Sequence, residues 1–217
     1  MAARIVDLTH TMYDRMPTFP GDPDFSLTPY HTIESIGYNL LQVTMPSHCG
    51  THLDAPSHFV AGARTTERIE LGRCIGEAHL LDLTHRGPGE EITLDDLAPY
   101  DAQIQKGARL VIRTGWERVF PEPRFFTEFP GISIPVARLL AERQIALLGL
   151  DMPSVHTSEF KLVHEILLGA EIVIVESLTN LGELPPTFYF IALPLKFAGG
   201  DGSPVRAIAI TGDAKLG

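Results

Sequence analysis

The stretch Ser47-His48-Cys49-Gly50-Thr51-His52-Leu53-Asp54-Ala55-Pro56-Ser57-His58 places three imidazoles and a carboxylate within eleven residues. His48, His52 and Asp54 are the nitrogen and oxygen donors that Zn²⁺ or a similar borderline cation prefers, and three protein ligands leave a coordination position open for chemistry. His58, four residues on and across a proline, suits a proton shuttle beside the metal. On a straight strand a four-residue separation spans roughly 13 Å, too far for one ion, so the chain must bend. Gly50 can take a backbone conformation closed to other residues, and Pro56 stops a helix. The reading is a strand over residues 38–45 that runs through Pro46 into a glycine-bent loop carrying the ligands. Against it stands the alternative that these histidines are loop residues with separate hydrogen-bonding tasks. Cys49 is a further thiol ligand candidate, although it alternates away from His48.

Outward from this stretch, the chain reads as one α/β domain over residues 1–217. Its 217 residues suffice for one substantial core, and 44% hydrophobic with 20% charged residues is ordinary globular composition. No apolar run is long enough for a bilayer. The opening residues reach Asp7 before a signal-peptide hydrophobic region forms, and only Cys49 and Cys74 are present, so the expectation is a cytoplasmic protein. A formal net charge of -10 disfavours nucleic acid and anionic membranes as partners.

Apolar patterning predicts strands over residues 4–8, 25–29, 38–45, 78–83, 108–113, 145–150, 172–175, 188–195 and 205–211. Helices are predicted after the Thr93 cap, over 135–143 with Pro135 in the first turn, and over 158–168. The last of these, with the strands on either side, makes a βαβ unit. Its second strand, Ile172-Val173-Ile174-Val175, is apolar on both faces and ends in Glu176, and ligands gather at the carboxyl ends of such strands. A capping or surface-pair role is the alternative for Glu176. His164 shares a helix face with Phe160, Leu167 and Leu168 and therefore points inward, either as a ligand or as a hydrogen-bonded core residue. His156 competes for the ligand role, and Asp151 is either a support for a ligand or a turn former.

The pattern H-x-G-T-H-x-D-x-P-x-H from His48 to His58 resembles that of the cyclase family of metal-dependent hydrolases, which includes bacterial kynurenine formamidases and isatin hydrolases. Phe19-Pro20-Gly21-Asp22, Arg113-Thr114-Gly115-Trp116, Asp151-Met152-Pro153-Ser154 and the spacing from His164 to Glu176 follow in the family's order. The resemblance implies a swivelling β/β/α domain, a mixed sheet with flanking helices, and a homodimer. It implies two zinc ions per subunit, one on His48, His52 and Asp54 and the other on Asp54, His164 and Glu176, with Asp54 bridging and His58 as the acid/base residue. Manganese or a single ion is the open variant.

The implied activity is hydrolysis of N-formyl-L-kynurenine to L-kynurenine and formate, a step of tryptophan catabolism. A water acidified by the metal attacks the carbonyl, and His58 protonates the leaving aryl amine. An isatin-type cyclic amide or lactone hydrolase needs the same parts; a noncatalytic metal-binding protein leaves His58 without a purpose. Phe19 is a candidate to stack on the substrate's ring, with simple packing as its alternative. Trp116 and Tyr38 are weaker candidates for a pocket wall.

Overall fold

A computed structural model describes residues 3–212. Strands run at Arg4–Asp7 (β1), Ser26–His31 (β2), Leu40–Thr44 (β3), His52–Asp54 (β4), Ile75–Asp82 (β5), Glu91–Ile92 (β6), Arg109–Arg113 (β7), Gly131–Ile132 (β8), Leu147–Leu150 (β9), Val173–Glu176 (β10), Thr187–Ile191 (β11), Gly202–Pro204 (β12) and Ile208–Thr211 (β13). Nine form one mixed sheet in the order β1-β13-β11-β5-β7-β9-β10-β4-β12. Its centre, β5-β7-β9-β10, is parallel, and antiparallel strands extend it on both sides.

The parallel centre follows from residues that are apolar on both faces. Leu110, Ile112, Leu148, Leu150 and Ile174 point to one side, where helices Ile134–Glu142 and Phe160–Gly169 bring Val136, Leu140, Val163, Leu167 and Leu168 against them. Val111, Leu147, Val173 and Val175 point to the other side and meet Val6, Leu53, Phe188 and Phe190. A hydrophobic core thus lies on each side of the sheet. Pro135 sits in the first turn of its helix, where its missing N–H costs nothing. No helix among the described residues is long and apolar enough to cross a membrane.

The strand predicted over residues 38–45 is β3, which pairs with β2 in a separate hairpin, is exposed along its whole length, and leads through Pro46 into the Gly50 turn that carries His48. One expectation needs correction: the ligands are not all on that loop, because His52 and Asp54 lie on β4, a buried strand of the main sheet. Three residues are too few for alternation to be recognised, and Thr51-His52-Leu53-Asp54 carries no run of β-branched residues.

Candidate metal centre and active site

β4 and β10 are antiparallel neighbours, with Glu176 opposite His52 and Ile174 opposite Asp54. Leu53 enters the core on the far side of the sheet, so the period of two turns His52 and Asp54 to the helix-bearing side, where Glu176 also points. The helix Phe160–Gly169 adds buried His164 from above. His48 comes from the turn before β4, where Gly50 holds φ +59, and His58 from the single 3-10 turn Pro56–His58. Five sequence-predicted ligands and the predicted acid/base residue are therefore brought to one place.

Their geometry is that of a cation site. His48 Nδ1 lies 2.8 Å from Asp54 Oδ1, and His52 Nε2 lies 3.4 Å from Asp54 Oδ1 and 3.5 Å from Glu176 Oε2. His164 Nε2 is 3.5 Å from Asp54 Oδ2 and 3.4 Å from Glu176 Oε1. Ligand atoms of His52, Asp54 and Glu176 fall within 4.8 Å of one another, and so do those of His48, Asp54 and His58. Asp54 belongs to both groups. His58 is thus nearer to His48 and Asp54 than a purely outer proton shuttle requires.

The residues fit a bound cation on independent grounds. His52 Nδ1 lies 2.9 Å from the Gly50 carbonyl and His164 Nδ1 lies 2.8 Å from the Phe160 carbonyl. A carbonyl only accepts, so each Nδ1 carries a proton, and each ring in its neutral, metal-binding form turns an Nε2 lone pair toward the carboxylates. Asp54 Oδ2, His164 Nε2 and Glu176 Oε1 are all buried without a hydrogen-bond partner. Three buried acceptors facing one another are costly unless a cation or extra protons stand between them.

The charges packed around these groups act in the same direction. Burial opposes the charged forms of His48 and His164, yet the carboxylates of Asp54, Glu176 and, for His48, Asp201 outweigh it and hold these imidazoles up at about 9 and about 10. Burial raises Asp54, but the surrounding histidines win and keep it well below the usual carboxylate range. Burial and the neighbouring Asp54 charge push Glu176 up. Unfolded histidine titrates near 6.5, so the metal-free native state binds these protons more tightly than the unfolded chain. That stabilisation is complete below pH 6.5 and is lost as pH rises through 9 and 10. Protein kept in EDTA is therefore expected to unfold at progressively lower temperature from pH 6.5 to 10. Zinc-loaded protein, whose imidazoles bind only when neutral, should not show this loss. Calorimetric scans across that range check the difference.

His58 differs: burial, against Asp54, brings it down to about 4. Its ring stacks on His48 with centroids 3.8 Å apart, and its Nδ1 lies 3.7 Å from Asp201 Oδ2. Asp201, which the sequence reading did not single out, also sits 3.3 Å from His48 Nε2 and accepts the Ser47 hydroxyl at 2.9 Å. β12 begins here, and a Cβ on Gly202 would lie 2.4 Å from the His48 ring. Gly202→Ala is expected to displace His48 and weaken metal binding by about 10–100-fold, the range seen when a ligand's supporting shell is disturbed. Competition with a chromogenic chelator measures it.

The cluster forms one end of a cavity of about 490 Å³. Phe19, Phe59, Phe120, Phe125, Phe126 and Phe160 line it. Phe59 stacks on His164 with rings 4.3 Å apart and 2° from parallel, and Phe19 meets Phe126 edge to face at 5.9 Å. Phe19, a candidate substrate contact, lies on the cavity wall. Phe120, Phe125 and Phe126 come from short, irregular turns, where no periodicity announces a direction, and Phe160 opens the helix that carries His164.

Other candidates fall away from the site. Cys49 is buried against Met16 and Phe25. His156 Nδ1 accepts the backbone N–H groups of Ser158 and Glu159, so it braces the turn that leads into the helix carrying His164. Asp151 accepts from the Thr114 N–H and hydroxyl and the Gly115 N–H, which makes it the anchor of that turn; burial, with the Glu117 charge, pushes it up to about 7. Trp116 is buried in the core with its indole N–H on the Phe125 carbonyl, and Tyr38 is exposed on the hairpin beside His31.

Known proteins share this architecture. The Cyclase family's sequence pattern matches residues 6–157. Kynurenine formamidase of Geobacillus thermodenitrificans is 35% identical over 208 residues, covering 93% of this chain and 95% of that protein. The kynurenine formamidase of Sphingopyxis alaskensis is 32% identical over 210 residues, covering 95% and 97%. Among solved structures, one described as a potential metal-dependent hydrolase with cyclase activity is 32% identical with a TM-score of 0.83, over 98% of this chain and 100% of that one. Isatin hydrolase A from Labrenzia aggregata is 26% identical with a TM-score of 0.87, over 96% and 93%. The chain therefore belongs to the cyclase family of metal-dependent hydrolases.

Proposed function

We propose that this protein is a metal-dependent amide hydrolase that converts N-formyl-L-kynurenine and water to L-kynurenine and formate. The observation that carries the reading is the set of unpartnered buried atoms on Asp54, His164 and Glu176 at the end of a phenylalanine-lined cavity. His48, His52 and Asp54 would hold one zinc ion, and Asp54, His164 and Glu176 the second. Divalent cations bound there supply a Lewis acid that polarises a carbonyl and acidifies water.

The protein's own residues do the rest. The aryl ring lies among Phe19 and its neighbours, which exclude water and point the formamide at the cluster. Neutral at pH 7, the His58 imidazole takes a proton from the attacking water. Collapse of the tetrahedral intermediate breaks the C–N bond, and His58 returns that proton to the departing aryl nitrogen. Formate and the free amine result.

The likeness to isatin hydrolase A favours a second reading, ring opening of a cyclic aryl amide by the same residues. The two buried free thiols support a reducing compartment such as the cytoplasm, and the exposed apolar hairpin with Tyr30, Ile33, Leu41 and Val43 supports a homodimer. Formate release from N-formyl-L-kynurenine tests the reading: it should stop on chelation and return with zinc. Release that persists unchanged after verified metal removal would refute the metal-dependent mechanism.

A further inference from the structure

Charge along the cavity points to a finer selectivity, which rests on the aryl-amide reading above. Among the described residues, the ionisable groups lining it are four histidines and three carboxylates, Asp22, Glu176 and Asp201; no lysine or arginine lines it. Glu176 is buried in the metal-ligand cluster, and Asp201 is tied to Ser47, His48 and His58. Asp22 is different. It is exposed, lies in the same tight turn as Phe19, to whose carbonyl its N–H donates at 3.0 Å, and has no lysine or arginine within ion-pair distance among the described residues. The acyl group of a substrate belongs at the His and Asp cluster, so the remainder of the molecule extends along the phenylalanines toward Asp22. A side arm bearing an ammonium there meets an unpaired carboxylate. One bearing a carboxylate meets like charge and no compensating cation, in the field of a protein whose formal net charge is -10.

We infer that the cavity selects aryl amides with a cationic side arm over those whose side arm is anionic, and that Asp22 is the residue that discriminates. The side arm this favours is an amine, with a carboxylate tolerated only beside that amine. Binding of three deformylated ligands to zinc-loaded protein, measured by calorimetry, tests this without turnover. The probes share a 2-aminophenyl ketone: kynurenamine carries an amine, L-kynurenine an amine and a carboxylate, and 4-(2-aminophenyl)-4-oxobutanoate a carboxylate alone. Affinity should fall in that order, with about tenfold or more between first and last, and Asp22→Lys should shrink that gap to about threefold or reverse it. Equal or tighter binding of the anionic probe overturns the inference, as does a gap that Asp22→Lys leaves unchanged or a failure of all three to bind. Loss of turnover on every formanilide with the binding order intact would strike the amidase reading instead.

Discussion

Asp54→Ala is expected to abolish turnover and to weaken metal binding by more than about 100-fold. One carboxylate lies within 3.5 Å of His48, His52 and His164 and belongs to both candidate metal groups, so its removal would take a ligand from both at once. Changes in the outer shell of metal sites cost about 10–100-fold, and loss of a shared ligand should exceed that range. The metal-free protein should suffer too. Removing one partner of a buried ion pair leaves the other uncompensated, at about 3–5 kcal/mol. Asp54→Asn keeps the shape and separates the two effects: it should retain more of the packing while still losing the metal. Metal content by mass spectrometry and unfolding in EDTA read them independently.

His58→Ala is the complementary case. It should lower kcat by about 10²–10⁴-fold, the span that general acid–base catalysis contributes, with metal content unchanged. His58 is held down at about 4 and so is neutral at working pH, whereas the carboxylates hold His48 and His164 up. Its ring also lies within 4.8 Å of ligand atoms on His48 and Asp54, which makes metal content the decisive control. Unchanged turnover would remove His58 from the proton transfer, and loss of metal would move it into the ligand set.

The run from His48 to His58 was legible as a candidate metal site because its chemistry is dense in sequence. Helix spacing turned His164 inward and a doubly apolar strand set Glu176 at its carboxyl end, but only the family resemblance joined them to one ligand set. Asp201 was not legible. It acts through a turn that β12 pins beside β4, where Gly202 lies opposite Asp54 and 148 residues away in sequence, a pairing that no local pattern encodes. The phenylalanine wall was hidden for a related reason: Phe120, Phe125 and Phe126 sit in short turns after β7, and aromatic residues there read equally well as packing. The strands β2 and β3 were legible as strands, but nothing local shows that they pair apart from the main sheet with their apolar residues facing outward.

The central claim is tested most directly by kcat/KM for N-formyl-L-kynurenine on zinc-loaded protein, with isatin under the same conditions. The account predicts a value above about 10⁴ M⁻¹s⁻¹ for the formamide, well ahead of isatin, as expected of an enzyme on its own substrate. A metal-loaded, folded protein that turns over neither compound above the buffer rate would contradict it.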